Sequence, residues 1–510
     1  MRWLALALVA LTMFFAYMFV DILSPVKTMV ESELNWNSTV FGTYGGSEFF
    51  INVFFFFLIF AGIILDKMGV RFTFLLSGSL MVIGALIKLY ALSPAFNAGG
   101  FGYSFFNSFW PAMPASAKLA CVGFALFGCG TEMGGVTVSR SIVKWFEGKE
   151  MALAMGIEMA VARLGVFAVF WLSPMIAEQY GTVRASVFFG TCLLVVALLL
   201  YVVYFFMDRK LDHQLEAAHA AIEQEEEEPF KFRDLGHVFG NSMFWIVAIL
   251  CVLYYSAIFP FQKFATEMLV SNVGFEADVA AKIFSLFPVG AMVITPILGF
   301  YLDARGKGAT MLIIGAILMI VCHGTFAFFP FSSVSHGLAA TIAIIAIVVL
   351  GISFSLVPAA LWPSVPKIIP GKVLGSAYSA IFWIQNIGLM AVPMLIGAIL
   401  DANNQNVAPG QPKDYFQAML VFTAFGVVAL ITLYSSRLLT RRRATALSCR
   451  TLRSNLSIGG GVLLECAIIS FSEDLTRRCR LLAKIFVHLC RESWLCVIAR
   501  SKRTTIPPKK

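Results

Sequence analysis

Gly62-Ile63-Ile64-Leu65-Asp66-Lys67-Met68-Gly69-Val70-Arg71 joins two apolar runs, 45–65 and 71–92, each long enough to cross a bilayer. A connection between two spans needs only to be polar. One acid, two bases and two glycines in one decapeptide exceed that need and predict a purpose-built turn. A weaker copy, Gly299-Phe300-Tyr301-Leu302-Asp303-Ala304-Arg305-Gly306-Lys307, follows a later apolar run, and two copies imply two related halves.

Outward from that turn the composition agrees. The 510 residues are 59% hydrophobic and 13% charged, with a mean hydropathy of +0.83, which excludes an ordinary water-soluble class. Apolar runs of roughly 20 residues, the length that crosses about 30 Å of hydrocarbon, fall near 3–23, 45–65, 71–92, 118–143, 151–176 and 185–206. They resume near 243–268, 280–302, 309–330, 337–360, 373–400 and 415–438. The pattern predicts an all-α membrane protein with twelve transmembrane helices in two six-helix halves, 1–206 and 243–443. A signal peptide at 1–20 is the competing reading of the first run, but the run outlasts signal length and no small-x-small site precedes Asp21.

Basic residues set the orientation. Lys67, Arg71, Lys144, Lys149, Arg209, Lys210, Arg305, Lys307, Lys367, Lys372, Arg437 and Arg441 to Arg443 all fall on one side, against a scattered Lys27, Arg184 and Lys413 on the other. Both termini are therefore expected in the cytoplasm. The linker 207–242 carries Glu225 to Glu228 before Pro229 and reads as a solvated helix with a stop, since four adjacent acids repel and lack the spacing of a calcium loop.

The tail, 444–510, differs from the body. It holds twelve Lys or Arg against four Asp or Glu, so eight of the chain's nine net positive charges lie there and the high pI says little of the body. Five of ten cysteines also lie there, without zinc spacing. The tail is expected to be disordered or sequence beyond the natural end, with a basic helix on anionic lipid over 475–498 as the alternative. No metal or cofactor is expected. The expected partners are a small-molecule substrate and the bilayer, not a nucleic acid, and an accessory subunit is left open.

Ionisable side chains inside spans are costly and mark function. Here they are Asp21, Glu48, Lys88, Glu132, Arg140, Glu158, Arg163, Lys263 and Glu267. Glu132 sits in Gly128-Cys129-Gly130-Thr131-Glu132-Met133-Gly134-Gly135, where glycines allow close helix approach. Arg163 lies mid-span in the next helix. The pair forms either a structural salt bridge or a grip on a ligand with opposite charges at its ends. Arg140 and Glu158 are expected in an intracellular gate or loop network with Lys144, Glu147, Lys149 and Glu150, and Lys88 is expected to snorkel. His323 reads as a packing residue, Asp21 as a residue at the outer mouth of the first helix or the cap of a break in it, and no Ser-His-Asp set suggests hydrolysis.

The turn at Gly62, Asp66, Gly69 and Arg71 resembles the signature G-x-L-x-D-x-x-G-x-[RK] of the major facilitator superfamily, with Asp303 and Arg305 in the second copy. More specific stretches, Gly351 through Leu361-Trp362-Pro363, Leu374-Gly375-Ser376-Ala377-Tyr378, Ile384-Gln385-Asn386-Ile387-Gly388 and Gly397 through Asp401, resemble the lysosomal dipeptide carriers of that superfamily. Lys144-Trp145-Phe146, Ala162-Arg163-Leu164-Gly165 and Tyr254-Tyr255 through Phe259-Pro260-Phe261 agree, so the likeness covers roughly 5–438. It implies that Glu132 holds a peptide's amino terminus, Arg163 its carboxylate, and Trp362 closes over it, with Tyr254, Tyr255, Gln385 and Asn386 nearby. The Asp66 motif would then gate.

Phe124 stands where facilitators often have arginine, and Gly165-Val166-Phe167 lacks the Gly-Pro signature of proton antiporters. These departures favour a dipeptide uniporter. The alternatives are a carrier of small organic anions or inorganic oxyanions, proton-coupled or not, and a non-transporting receptor. The short stretch before the first span leaves no room for a sorting signal, so a cell (inner) membrane is expected.

Overall fold

Every described element is helical, as lipid demands of a chain whose backbone groups have no water to bond there. A computed structural model describes residues 1–146, 150–219, 239–305, 308–365 and 374–455, without the side chains at 152, 212–219, 291, 296, 299–305, 363, 374–376 and 436–455. The side chains of Asp303 and Arg305 thus lie outside the described residues, as do Glu147, Lys149, the acidic run 225–228 and the segment 475–498. Two units are present, Met1–Arg437 and Leu438–Lys510, and the site lies in the first.

The first span is broken by its own sequence. α1 (Arg2–Val20) ends at Asp21, Pro25 starts a 3-10 turn (Ser24–Val26), and α2 (Lys27–Leu34) completes the crossing. Asn35 closes α2 in the left-handed region at φ 55°, and the Asn37 side chain caps α3 (Ser38–Ser47) by accepting from the Val40 N–H at 2.9 Å. α4 (Phe50–Phe54) and α5 (Phe57–Ala91) follow. The turn expected at 62–71 is helical except at Gly69, where φ 75° and ψ 170° kink α5 between the second and third spans. Only glycine adopts that conformation without strain.

After two short helical pieces, Pro94–Asn97 and Tyr103–Asn107, come α6 (Ala115–Phe146), α7 (Met151–Tyr180), α8 (Val183–His219), α9 (Ser242–Val273), α10 (Ala277–Phe284), α11 (Leu286–Arg305), α12 (Gly308–Phe328), α13 (His336–Leu361), α14 (Leu374–Asn403) and α15 (Phe416–Asn455). Among the described residues eleven helical stretches are long and apolar enough to span. The twelfth crossing is the second, assembled from α3, α4 and the start of α5. Its start at Ser38 corrects the expected 45.

Alternating crossings define two ends, one holding Asp66 and the other Trp36, whose indole donates to Ser116 Oγ at 3.1 Å. α1 packs on α7 and α8, α5 on α6, and α13 on α11 and α12. The halves meet where α3 lies along α14 and α7 along α10 and α11. Asp208, expected in the solvated linker, is instead 1% exposed near the Asp66 end of α8. It accepts from Lys144 Nζ at 2.8 Å and Trp145 Nε1 at 3.1 Å, and Arg71 Nε lies 3.9 Å away.

Candidate functional site

Arg163 projects from the middle of α7 into a cage of aromatic rings. Its guanidinium carbon lies 5.7 Å from the Tyr17 ring, 5.5 Å from Phe259 and 5.2 Å from Phe354. Aromatic faces attract a cation by about 0.5 to 2 kcal/mol, yet they offer no acceptor for its N–H donors. Arg163 makes no ion pair among the described residues. Glu158, on the same helix, acts on it electrostatically, and among the described residues it makes no ion pair with the expected loop network. Of that network Lys144 pairs with Asp208 and Glu150 with Arg2 at 2.9 Å, while Arg140 is exposed.

Glu132 is half-buried on α6. The glycines around it do what their spacing promised: Gly130 and Gly134 lie against Ser77 of α5, and Ser77 Oγ donates to the Gly130 carbonyl at 2.7 Å. With one flank of α6 fixed to α5, the Glu132 carboxylate meets Asn386 of α14. It makes no ion pair with Arg163 or any other described residue, so the structural salt bridge does not form. Tyr17 stands within electrostatic reach of both Glu132 and Arg163. Two opposite charges thus share one interior region without neutralising each other.

The structure joins most of the other expected residues to this region. Trp362 Nε1 donates to the Tyr255 hydroxyl at 2.9 Å, and the Trp362 ring stacks on Phe382 at 4.8 Å. Tyr255 packs in turn on Phe259 at 5.5 Å and Phe354 at 5.9 Å, so an aromatic series runs from Trp362 to the Arg163 cage. Gln385 Oε1 accepts from Cys251 Sγ at 3.0 Å. Tyr254 is the exception. Its hydroxyl donates to the Leu312 carbonyl at 2.5 Å, which ties α9 to α12 and turns it away from the cavity.

Lys88 does not snorkel. It is fully buried, with its ammonium over Phe19 at 4.4 Å, Phe124 at 4.9 Å and Tyr44 at 5.0 Å. Phe124 therefore walls a buried cation. His323 is buried between Phe261 at 4.9 Å and Phe422 at 5.4 Å.

Lys27 and Lys413, expected in outer loops, are buried at the Trp36 end and cross between the halves. Lys27 Nζ lies 2.5 Å from Glu267 Oε2, 3.1 Å from Ser38 Oγ and 3.8 Å from Glu31. Lys413 pairs with Glu31, lies 2.9 Å from Ser38 Oγ and 3.4 Å from Glu267 Oε1. Tyr415 donates to Glu267 as well. Burial opposes the Lys413 charge, but Glu267 and Glu31 outweigh it and raise its pKa. Deeper in, Lys263 bonds Asp21 at 3.0 Å and approaches Glu48 at 3.7 Å. Asp401 accepts from the backbone N–H groups of Ser38 at 3.0 Å and Thr39 at 2.7 Å.

The sequence missed this clasp and the rings of Tyr17, Phe259 and Phe354. Asp66 and Lys67 are exposed and Arg71 is half-buried at the opposite end.

Residues 9–393 match the model of the Major Facilitator Superfamily. Over 413 residues the chain is 28% identical to "Lysosomal dipeptide transporter MFSD1" of Homo sapiens, covering 79% of this chain and 80% of that relative. A solved D-xylose-proton symporter superposes with a TM-score of 0.63 at 13% identity, over 85% of this chain and 97% of the other. The nucleoside transporter NupG superposes with a TM-score of 0.61 at 14% identity, over 85% and 98%. These two likenesses concern the fold alone.

Proposed function

The chain belongs to the major facilitator superfamily and is a multi-pass membrane transporter, not an enzyme, and on that premise we propose that its cargo is a dipeptide zwitterion moved by alternating access. The observation that carries this reading is a pair of interior charges, Glu132 and Arg163, neither of which is neutralised by an ion pair. An isolated interior charge is costly, and a ligand with an ammonium at one end and a carboxylate at the other relieves both. Arg163 would take the carboxylate through two parallel charge-assisted bonds, which lysine does not reproduce. Glu132 would take the ammonium.

Because both termini are held, side chains are free to vary while length is not. Each added residue displaces one terminus by roughly 3.5 Å. Trp362, Tyr255, Gln385 and Asn386 line the approach. Transport then requires the clasp of Lys27, Glu31, Glu267 and Lys413 to open on one side and the Asp66 motif to act as the gate on the other. We read the cycle as uniport, in a cell membrane with both termini cytoplasmic. Uptake of labelled dialanine into liposomes carrying the purified protein is the test. Uptake of a simple carboxylate with no uptake of dialanine would overturn the reading.

A further inference from the structure

We propose that Asn52 is a third acceptor for the cargo's ammonium, beside Glu132 and Asn386, and restricts the carrier to peptides with a free primary amino terminus. The inference rests on the dipeptide reading. Asn52 lies on α4, the short piece of the broken second span, and α4 packs against both α6 and α14. Two contacts fix its level. Gly128 of α6 lies so close to the Glu48 carbonyl that no Cβ fits between them. The two helices run the same way from there, so one further turn brings Asn52 on one and Glu132 on the other to a common height. From the α14 side, Trp383 Nε1 donates to the Val53 carbonyl at 3.0 Å and its ring stacks on Phe56 at 5.1 Å, which sets Asn386, three residues on from Trp383, at that height as well.

Asn52 and Asn386 are each 1% exposed; Asn386 faces the Glu132 carboxylate, whereas neither the amide oxygen nor the amide nitrogen of Asn52 finds a hydrogen bond among the described residues. Buried amides are seldom left so. Two amides at the level of one carboxylate, one of them without a partner, form a set of acceptors larger than the side chains themselves use. A primary ammonium has three N–H donors, and Glu132 with two amide oxygens supplies one acceptor for each. An N-methylated terminus keeps the charge but loses one donor, which leaves one buried acceptor unpaired.

The experiment is competition against labelled dialanine in liposomes by unlabelled dialanine, N-methyl-dialanine and dialanine amide, with the full chain and with Asn52→Ala. The full chain is expected to favour dialanine over its N-methyl form by about tenfold, the worth of one buried hydrogen bond. Asn52→Ala should weaken dialanine about tenfold and shrink the N-methyl penalty to under about twofold, while the penalty for the amide stays unchanged. Asn52→Asp, which keeps an acceptor at that position, should retain the N-methyl penalty. A full chain that treats free and N-methylated dialanine alike overturns the assignment, whichever variants fold. So does an Asn52→Ala protein that loses affinity for all three ligands in equal proportion. Absence of dialanine uptake by the full chain would instead remove the dipeptide reading on which the inference stands.

Discussion

The clasp at the Trp36 end and the cavity around Arg163 use the same kinds of side chain in opposite ways. In the clasp, Lys27 and Lys413 face Glu31 and Glu267, and the four formal charges cancel. Around Arg163, by contrast, Glu132 meets an amide and Arg163 meets three aromatic rings, with Glu158 acting on Arg163 from a distance and no ion pair to either charge among the described residues. Charges that neutralise one another hold helices together. Charges left without a partner do not, and under the proposed function they await the two ends of the cargo.

That contrast has measurable consequences, the largest in the clasp. Glu267→Gln leaves two buried ammonium groups facing one carboxylate and should cost about 3 to 5 kcal/mol of stability, whereas replacing Lys27 and Glu267 together by Met and Leu should restore most of it. Thermal unfolding in detergent reads both. Next, Arg163→Lys and Glu132→Gln should each lower dialanine uptake by about 100-fold, the loss of charge-assisted bonds worth roughly 1.5 to 3 kcal/mol. Their unfolding temperatures should stay within a few degrees of the parent, and a large drop would move either residue from the cavity class to the clasp class. Lys88→Met should change stability by only about 1 kcal/mol, because the aromatic cage that holds the ammonium also suits a thioether. The smallest effect on stability belongs to Asp66→Asn, at under about 0.5 kcal/mol for an exposed group, with slowed uptake as its signature.

Much of this was legible in the sequence because lipid imposes length and apolarity on whatever faces it. The runs that became α1, α6 to α9 and α12 to α15 show it. The second span escaped for a physical reason. Ser38–Ser47 reads Ser-Thr-Val-Phe-Gly-Thr-Tyr-Gly-Gly-Ser, and its small residues face protein, with Gly42 against the Pro393 carbonyl and Gly46 against Met390. A helix that meets other helices need not be apolar. Glu132 and Arg163 stood out because a charge in an apolar run is conspicuous. Tyr17, Phe259 and Phe354 did not, since among 49 phenylalanines a ring facing a guanidinium looks like one facing lipid. The clasp was hidden differently. Lys27 and Glu267 are 240 residues apart, and only the fold brings them together.

The pairing contrast is tested most directly by thermal-shift binding of dialanine, N-acetyl-dialanine and dialanine amide to the purified protein at matched concentrations. Only the free dipeptide, with both termini charged, is expected to raise the unfolding temperature. Equal stabilisation by N-acetyl-dialanine would show that Arg163 binds a carboxylate without help from Glu132, and would contradict the two-ended grip.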